Sequence, residues 1–423
     1  MRLNFWQKLK NVIGDFRHQE TTPPKPPVDV EYKEFVCTIE PKSSFLTPLQ
    51  ADTLWAALMW AHAYMHGDSH ETRKLVESYP PKILVSDGFP QGYLPKPKGF
   101  IPIDQVATIV RNEYPGNWEK QLMGIEIAKR LSEQQLLPVE LVNRLVAGQQ
   151  SKENLLKELL QVQWCPKRFV VLRQELLTAS DYQETLDRIN QYCNAERCDA
   201  VTPWASPHKQ ESHENCARIL NSDHLKYLTL VKQSRSRKNR IDRILMRAMD
   251  ENGLFSQEEE YLLRNFWWVF VKVHPEFDAD EVRNLFRNLA EQGYGRRKSV
   301  GKGQFFFSRF VPLQDFTDAH PPQGAEDSDG FMTLSSSYVP HHSEFTQGHY
   351  TTHIKRGKVD GHLASTGKFL KKPIVMYEAG SVFQTDRIQP FYGKVVEEIY
   401  QASEGENIVQ YGYAYPMKGK FFS

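Results

Sequence analysis

Apolar and polar residues alternate from Glu34 to Glu40 (EFVCTIE), the period of a half-buried strand. Leu54, Ala57, Leu58 and Ala61 then recur at i, i+3, i+4 and i+7, which predicts a helix with Asp52 or Thr53 as its cap and Gly67 as its stop. Prolines at 90, 95 and 97 predict a loop without regular pairing from Gly88 to Gly99. Helical patterns return between Trp118 and Tyr192, through Leu122, Ile125, Ile127 and Leu131 and again through Leu155, Leu159 and Leu160. We read this stretch, about 115–220, as a helical insertion that offers a platform to a neighbouring protein. Leu225 to Val231 (LKYLTLV) and Phe266 to Val273 (FWWVFVKV) predict strands, with a projecting hairpin at about 232–256 between them. Asp278 or Asp280 caps a second helix whose apolar face is Val282, Leu285, Phe286 and Leu289 and which Gly293 ends; Gln304 to Phe310 predicts another strand. The order strand, helix, insertion, strand, strand, helix, strand is that of a split βαβ, or ferredoxin-like, unit.

The segments FMTLSSSYVP, HYTTHIKRG, KPIVMYEAG and NIVQYGYAYPM after Phe331 predict strands and turns. Ahead of everything, Leu3, Trp6, Leu9, Val12 and Ile13 form a short amphipathic arm, and the four prolines of TTPPKPPVDV make an extended spacer. The fold class is therefore α+β. Residues 1–33 form an arm and linker, 34–320 a first ferredoxin-like domain, and 321–423 a second, β-rich one.

Composition narrows the function. Lys and Arg number 53 against 52 Asp and Glu, so no global field draws the chain onto nucleic acid or an anionic membrane, and a polyanion site must be a local cluster. Five cysteines, an odd number in a chain of 423 residues, do not make a secretory disulfide framework and point to a reducing cytoplasm. The apolar run around Leu54 to Met65 is far shorter than the roughly 20 residues of a membrane span, so no membrane is expected as a partner.

Two clusters carry polyanion chemistry. Between Gly293 and Gln304, Gly293, Gly295, Gly301 and Gly303 interleave with Arg296, Arg297, Lys298 and Lys302 around Ser299. Glycines allow close backbone approach and cations neutralise phosphate, a combination suited to a nucleic-acid backbone. Walker A spacing fails, because Gly295 and Gly301 enclose five residues and Gly303 stands where Ser or Thr should bind magnesium. The dinucleotide fingerprint fails too, since the segment follows a helix and leads into a strand.

The second cluster is Lys232, Arg235, Arg237, Lys238, Arg240 and Arg243, opposed locally by Asp242; with Asn239 and an apolar spine of Ile241, Leu245 and Met246 it suits single-stranded RNA. A weaker basic strip, Lys355, Arg356, Lys358, Lys368, Lys371 and Lys372, could extend the same groove. Cys193, Cys198, His213 and Cys216, with His208 between them, are zinc-ligand types at the edge of structural spacing, but ordinary thiols in an irregular loop are the simpler reading. No cofactor is expected, no paired catalytic carboxylates, HExxH or serine elbow occurs, and capping accounts for Asp52.

Taken in order, Ser44-Phe45-Leu46-Thr47-Pro48, Ala51-Asp52-Thr53-Leu54-Trp55, Asn239-Arg240-Ile241-Asp242-Arg243 with Gly253-Leu254-Phe255, the glycine-rich loop and Gly380-Ser381-Val382-Phe383 resemble one family. It is that of the RAMP-type subunits, fourth in the Csm complex, that cap the crRNA 5′ handle in type III-A CRISPR effector complexes. The resemblance spans roughly Glu34 to Lys420. It implies two ferredoxin-like RAMP domains, a thumb hairpin, and a non-catalytic role in antiviral defence. It also implies contacts with the crRNA handle, with the large palm-domain signalling subunit, with a backbone RAMP subunit and, through the complex, with target RNA. Ser381 joins the RNA-binding set on this ground, and Ile241, Leu245 and Met246 become the thumb wedge. The alternative is a metal-independent crRNA-processing RAMP endoribonuclease. Such enzymes resemble this chain in fold and loop but usually carry the loop near the C-terminus and use a histidine-centred site, whereas here about 120 residues follow Gly303 and no histidine lies near the loop in sequence.

Overall fold

A computed structural model describes residues 29–67, 69–99, 103–160, 231–239, 241–242, 247–248, 253–317, 321–341, 344–358, 370–401 and 407–422. The N-terminal arm, all but the last residue of the Leu225–Val231 strand expected from sequence, and the Cys193, Cys198, His208, His213 and Cys216 cluster lie outside these residues.

The first sheet is built from strands β1 (Lys33–Pro41), β2 (Ile83–Pro90), β5 (Trp267–Val273) and β6 (Phe305–Pro312). It has the order β6-β1-β5-β2 with every neighbouring pair antiparallel. Helix α1 (Ala51–His66) links β1 to β2, and α2 (Ala279–Gln292) links β5 to β6.

The second strand in chain order is the main departure from the sequence reading. Ile83–Pro90 fills it, ahead of the insertion, where the prolines and glycines had predicted a loop from Gly88 onward. β2 is an edge strand, so Pro90 takes no ladder bond from it, and the register shifts between Val85 and Gly88. Gly88 is needed there because a Cβ would lie 2.7 Å from Leu49 Cβ. Tyr93–Pro95, inside the same expected loop, also pairs, with Leu136–Pro138. The insertion starts earlier than about 115, since helix Ile103–Glu113 precedes Trp118–Glu133, Val139–Val146 and Lys152–Leu160.

Both faces of the first sheet are covered. Phe35, Cys37 and Phe310 face the helices, with Phe310 6.3 Å from Phe286 of α2 and stacked on Phe35 at 4.7 Å. On the other face Trp268 meets Phe316 at 5.0 Å and Phe270 meets Tyr415 at 6.3 Å. This double burial explains why FWWVFVKV is a continuous apolar run and why β1 is buried on both sides from Val36 to Ile39 despite its alternating sequence.

Beyond Phe316 the described residues hold strands and turns without a helix. Their largest sheet joins β7 (Gly330–Thr333), β8 (Gln347–His349), β11 (Val382–Gln384) and β12 (Pro416–Gly419) in the order β8-β11-β7-β12. Between them β9 (Thr352–Lys355) pairs with β10 (Ile374–Tyr377). Asp278 does cap α2, its Oδ1 accepting the Asp280 N–H at 2.9 Å, and Gly67 ends α1 in the left-handed region.

Asp52 does not cap α1, which corrects the sequence reading. The Ala51 N–H is bonded at 2.8 Å by Asp87 of β2, and the buried Asp52 carboxylate instead holds Lys355 Nζ at 2.5 Å and Gln410 Nε2 at 2.7 Å. Both acids join the two sheets, for Asp87 also accepts the Ser336 backbone N–H at 3.0 Å.

Candidate nucleic-acid interface

The glycine-rich loop is docked onto the segment that leads into α1. The Gly303 N–H donates to Ser44 O at 2.9 Å, the Gln304 N–H to Ser43 Oγ at 2.8 Å, the Arg296 N–H to Thr47 Oγ1 at 3.1 Å, and the Tyr294 hydroxyl to Pro48 O at 2.7 Å. Ser44-Phe45-Leu46-Thr47-Pro48 and the glycine loop, far apart in sequence, thus form one structural unit. Gly295 and Gly303 are required by this closeness: both have positive φ, and a Cβ would lie 2.7 Å from Thr47 Cβ at the first and 1.9 Å from Tyr294 O at the second.

This docking corrects the expected role of the glycines. The N–H groups of Gly293, Gly301 and Gly303 are bonded to Leu289 O, Lys298 O and Ser44 O, so they close the loop and are not offered to phosphate. Lys302 is also turned inward. Its Nζ lies 2.6 Å from Glu259 Oε2 and 2.8 Å from Ser44 Oγ, and Ser44 Oγ donates to the same carboxylate at 2.6 Å. The Lys302 ammonium, with the Ser44 hydroxyl next, holds the buried Glu259 carboxyl down to about 2. What the loop presents outward is Arg296, Arg297, Lys298, Ser299 and Gly301, all exposed.

The second cluster lies on a long ribbon. Strand β3 (Val231–Asn239) pairs with β4 (Leu254–Leu262), and Ile241–Asp242 pairs with Arg247–Ala248 beyond it. The pairing modifies the charge count made from sequence. Arg235 stands opposite Glu258, with Nε 3.9 Å from Oε1, so the charge at the base of the ribbon is partly neutralised, while Glu259, opposite Ser234, answers Lys302 instead. Toward the tip, Arg237 faces Ser256 and Asn239 faces Leu254, and the positive charge is unopposed across the ladder. Arg240, Arg243, Leu245 and Met246 lie outside the described residues, and Ile241 is placed by its backbone alone.

Ribbon and loop are joined. Phe45 and Glu260 exchange backbone hydrogen bonds at 2.7 Å in both directions, which ties β4 to the loop's docking segment. At the surface the Arg297 guanidinium lies over the Phe255 ring at 5.6 Å, and Phe255 stands opposite Lys238 in the ladder. Arg297 holds this position from the left-handed region, φ 59°, the only non-glycine residue to do so among those described. The loop and the ribbon therefore share one surface running Arg296, Arg297, Phe255 and Lys238, while Arg237, the next residue along β3, lies on the opposite face of the ribbon.

Two other sequence candidates fall away from it. Ser381 is fully buried and donates its hydroxyl to Glu378 O at 2.6 Å, so it shapes a turn of the second unit instead of meeting a ligand. In the third basic strip Lys355 is bound by Asp52, which removes its charge from any groove, and Lys371 is half-buried. Lys368 lies outside the described residues.

The frame around this surface is a mixed α+β chain of two sheet-based units with a helical insertion and a projecting ribbon. No family model matches the sequence, and no curated protein matches it. Among solved structures, Csm4 in the crystal structure of the Csm3-Csm4 subcomplex of the type III-A CRISPR-Cas interference complex superposes with a TM-score of 0.53, at 15% identity, over 92% of this chain and 100% of that one. Its counterpart in a Csm1-Csm4 cassette with cA4 gives 0.43 at 15% identity over 92% and 99%, and a chain of the type III-B Cmr-beta complex 0.33 at 9% over 83% and 86%. The chain has the fold of Csm4 and the α+β class expected from sequence.

Proposed function

We propose that this protein is the subunit of a type III-A CRISPR effector complex that binds and caps the 5′ handle of the crRNA without cleaving it. In this reading both sheet units are RAMP domains, the first, with its β6-β1-β5-β2 order, ferredoxin-like and bounded at about 34–320, the second degenerate and β-rich. The protein anchors the large palm-domain signalling subunit to a backbone RAMP subunit, and target RNA is met through the assembled complex. The observation that carries the proposal is the joining of loop and ribbon at Arg297 and Phe255, which brings Lys238 of the ribbon into one strip with the loop's outer cations and an aromatic ring between them. Arginine and an aromatic face suit unpaired RNA, where phosphate contacts position the strand and bases stack. The interior bonds of the loop support it further, because a loop backbone fixed by Ser44, Thr47 and Pro48 presents its outer cations without a further backbone ordering cost on binding.

Salt titration of binding to guide RNA from the host's repeat array tests the interface. Each phosphate contact on a single strand contributes about 0.7 to the slope of log affinity against log salt, so replacing Arg296, Arg297 and Lys298 by Glu should flatten it by about two units. Lys302→Ala, whose charge already answers Glu259, should change the slope far less. An unchanged slope in the triple variant with the fold intact would place the RNA elsewhere. Labelled precursor RNA should stay whole in the same mixtures, whereas specific cleavage would favour the endoribonuclease.

A further inference from the structure

Helix α1 carries His62 and His66 one turn apart, and the first turn of α2 brings Glu281 against them. His62 Nε2 lies 3.2 Å and His66 Nε2 2.8 Å from the same oxygen, Glu281 Oε1. One ligand atom from each residue falls within 4.8 Å of the other two. We propose that these three side chains form a zinc site that clamps α1 to α2.

The spacing fits the ion. Zinc takes imidazole nitrogens at about 2.0–2.1 Å and carboxylate oxygens at about 2.0–2.2 Å, which puts neighbouring donors of a tetrahedron about 3.3 Å apart. The two nitrogen-to-oxygen distances need to grow by only a few tenths of an ångström. The donor set also selects: two imidazoles with one carboxylate suit zinc, whereas magnesium and calcium prefer oxygen cages.

The support around the donors is that of a ligand shell. His62 Nδ1 is 2.7 Å from Thr72 Oγ1, and both residues are buried. With Nε2 on the metal, Nδ1–H donates to the threonine hydroxyl and fixes the ring's tautomer and tilt. His66 is about half exposed, so the fourth position opens toward solvent and takes water. The location gives the site a purpose independent of the proposed function. The start of α1 and the end of α2 are already held together by the docked glycine loop, and the His/Glu cluster lies at the opposite end of the same helix pair.

The test uses tag-free full-length protein stripped with a chelator and titrated with zinc. Wild type should bind one equivalent that His66→Ala and Glu281→Ala lose, and Thr72→Val should bind it roughly tenfold more weakly. Zinc at a hundredfold excess over Kd should raise the melting midpoint of wild type by roughly 3 °C and leave His66→Ala unmoved. Cobalt substitution should give intense tetrahedral visible bands in wild type and none in His66→Ala. Cys193→Ser/Cys198→Ser should keep this equivalent. Zinc lost in the cysteine variant but retained in His66→Ala would overturn the assignment. So would wild type that binds no zinc and melts at one temperature with and without it, which would leave a plain histidine–carboxylate contact.

Discussion

Glu259 is the residue on which the loop's inner half turns. Its buried carboxylate accepts hydrogen bonds from Lys302, Ser44 and Gln257, so one side chain of the ribbon holds both the glycine loop and its docking segment. Glu259→Gln keeps the shape and removes the charge, leaving Lys302 partly buried without a counterion. Breaking a fully buried pair costs about 3–5 kcal/mol; with Lys302 partly in solvent we expect about 2 kcal/mol at pH 7. The sign with pH follows from the depressed folded value. The stabilisation is complete above the unfolded carboxyl range near pH 4.5 and is lost as pH falls toward about 2. The stability gap between wild type and Glu259→Gln, measured by denaturant unfolding, should be constant from pH 7 to 5 and shrink steadily below. A gap that stays flat to pH 2.5 would mean that the ion pair contributes nothing and that the variant suffers from packing.

At the scale of elements, the glycine loop combines a rigid floor with an open rim, and its glycines divide accordingly. Gly303→Ala would drive a methyl into Tyr294 O and unseat the bond to Ser44, so we expect loss of folding or a midpoint drop of many degrees. Gly301 has equally positive φ, but no atom lies within 4 Å of its missing Cβ. Gly301→Ala should cost only the left-handed strain, about 1 kcal/mol. Thermal melts of the two variants decide this, and equal losses would refute the division. The sequence showed that this loop was special, through glycines among cations, but not which face each residue takes. That depends on Ser44, Thr47 and Glu259, which no local period links to it. Elements with a strong period were legible: α2 with its Asp278 cap, and β5. β2 was not, because its pairing runs through Gly88 and ends on Pro90, residues that signal a turn everywhere except on a bulged edge strand. The charge of the ribbon is hidden from the sequence for a similar reason, since only the hairpin register sets Glu258 against Arg235.

At the scale of the molecule, the two sheet units do not hang from a linker. They share one core in which Trp55 of α1 stacks on Tyr411 at 5.0 Å and Phe270 of the first sheet meets Tyr415 of the second unit. Within that apolar contact lies the polar lock of Asp52, Lys355 and Gln410, with Lys355 Nζ also 3.2 Å from Gln50 Oε1 and 3.1 Å from Thr53 Oγ1. Such a lock fixes the relative placement of the sheets, because charge buried at one register has no answering group at another. Two consequences can be measured together. Calorimetry should give a single unfolding transition with a calorimetric enthalpy equal to the van't Hoff value, since neither unit can open without exposing the common core. In a double-mutant cycle, Asp52→Ala should cost about 3 kcal/mol by leaving Lys355 and Gln410 without their anion, and Lys355→Ala a similar amount by leaving the buried Asp52 carboxyl without its cation. The double variant removes both charges at once, so its loss should fall short of the sum by about 2 kcal/mol, within the range found for contacting pairs. Additive losses, or two resolved transitions, would show that the lock does not couple the units and that the shared core alone sets their arrangement.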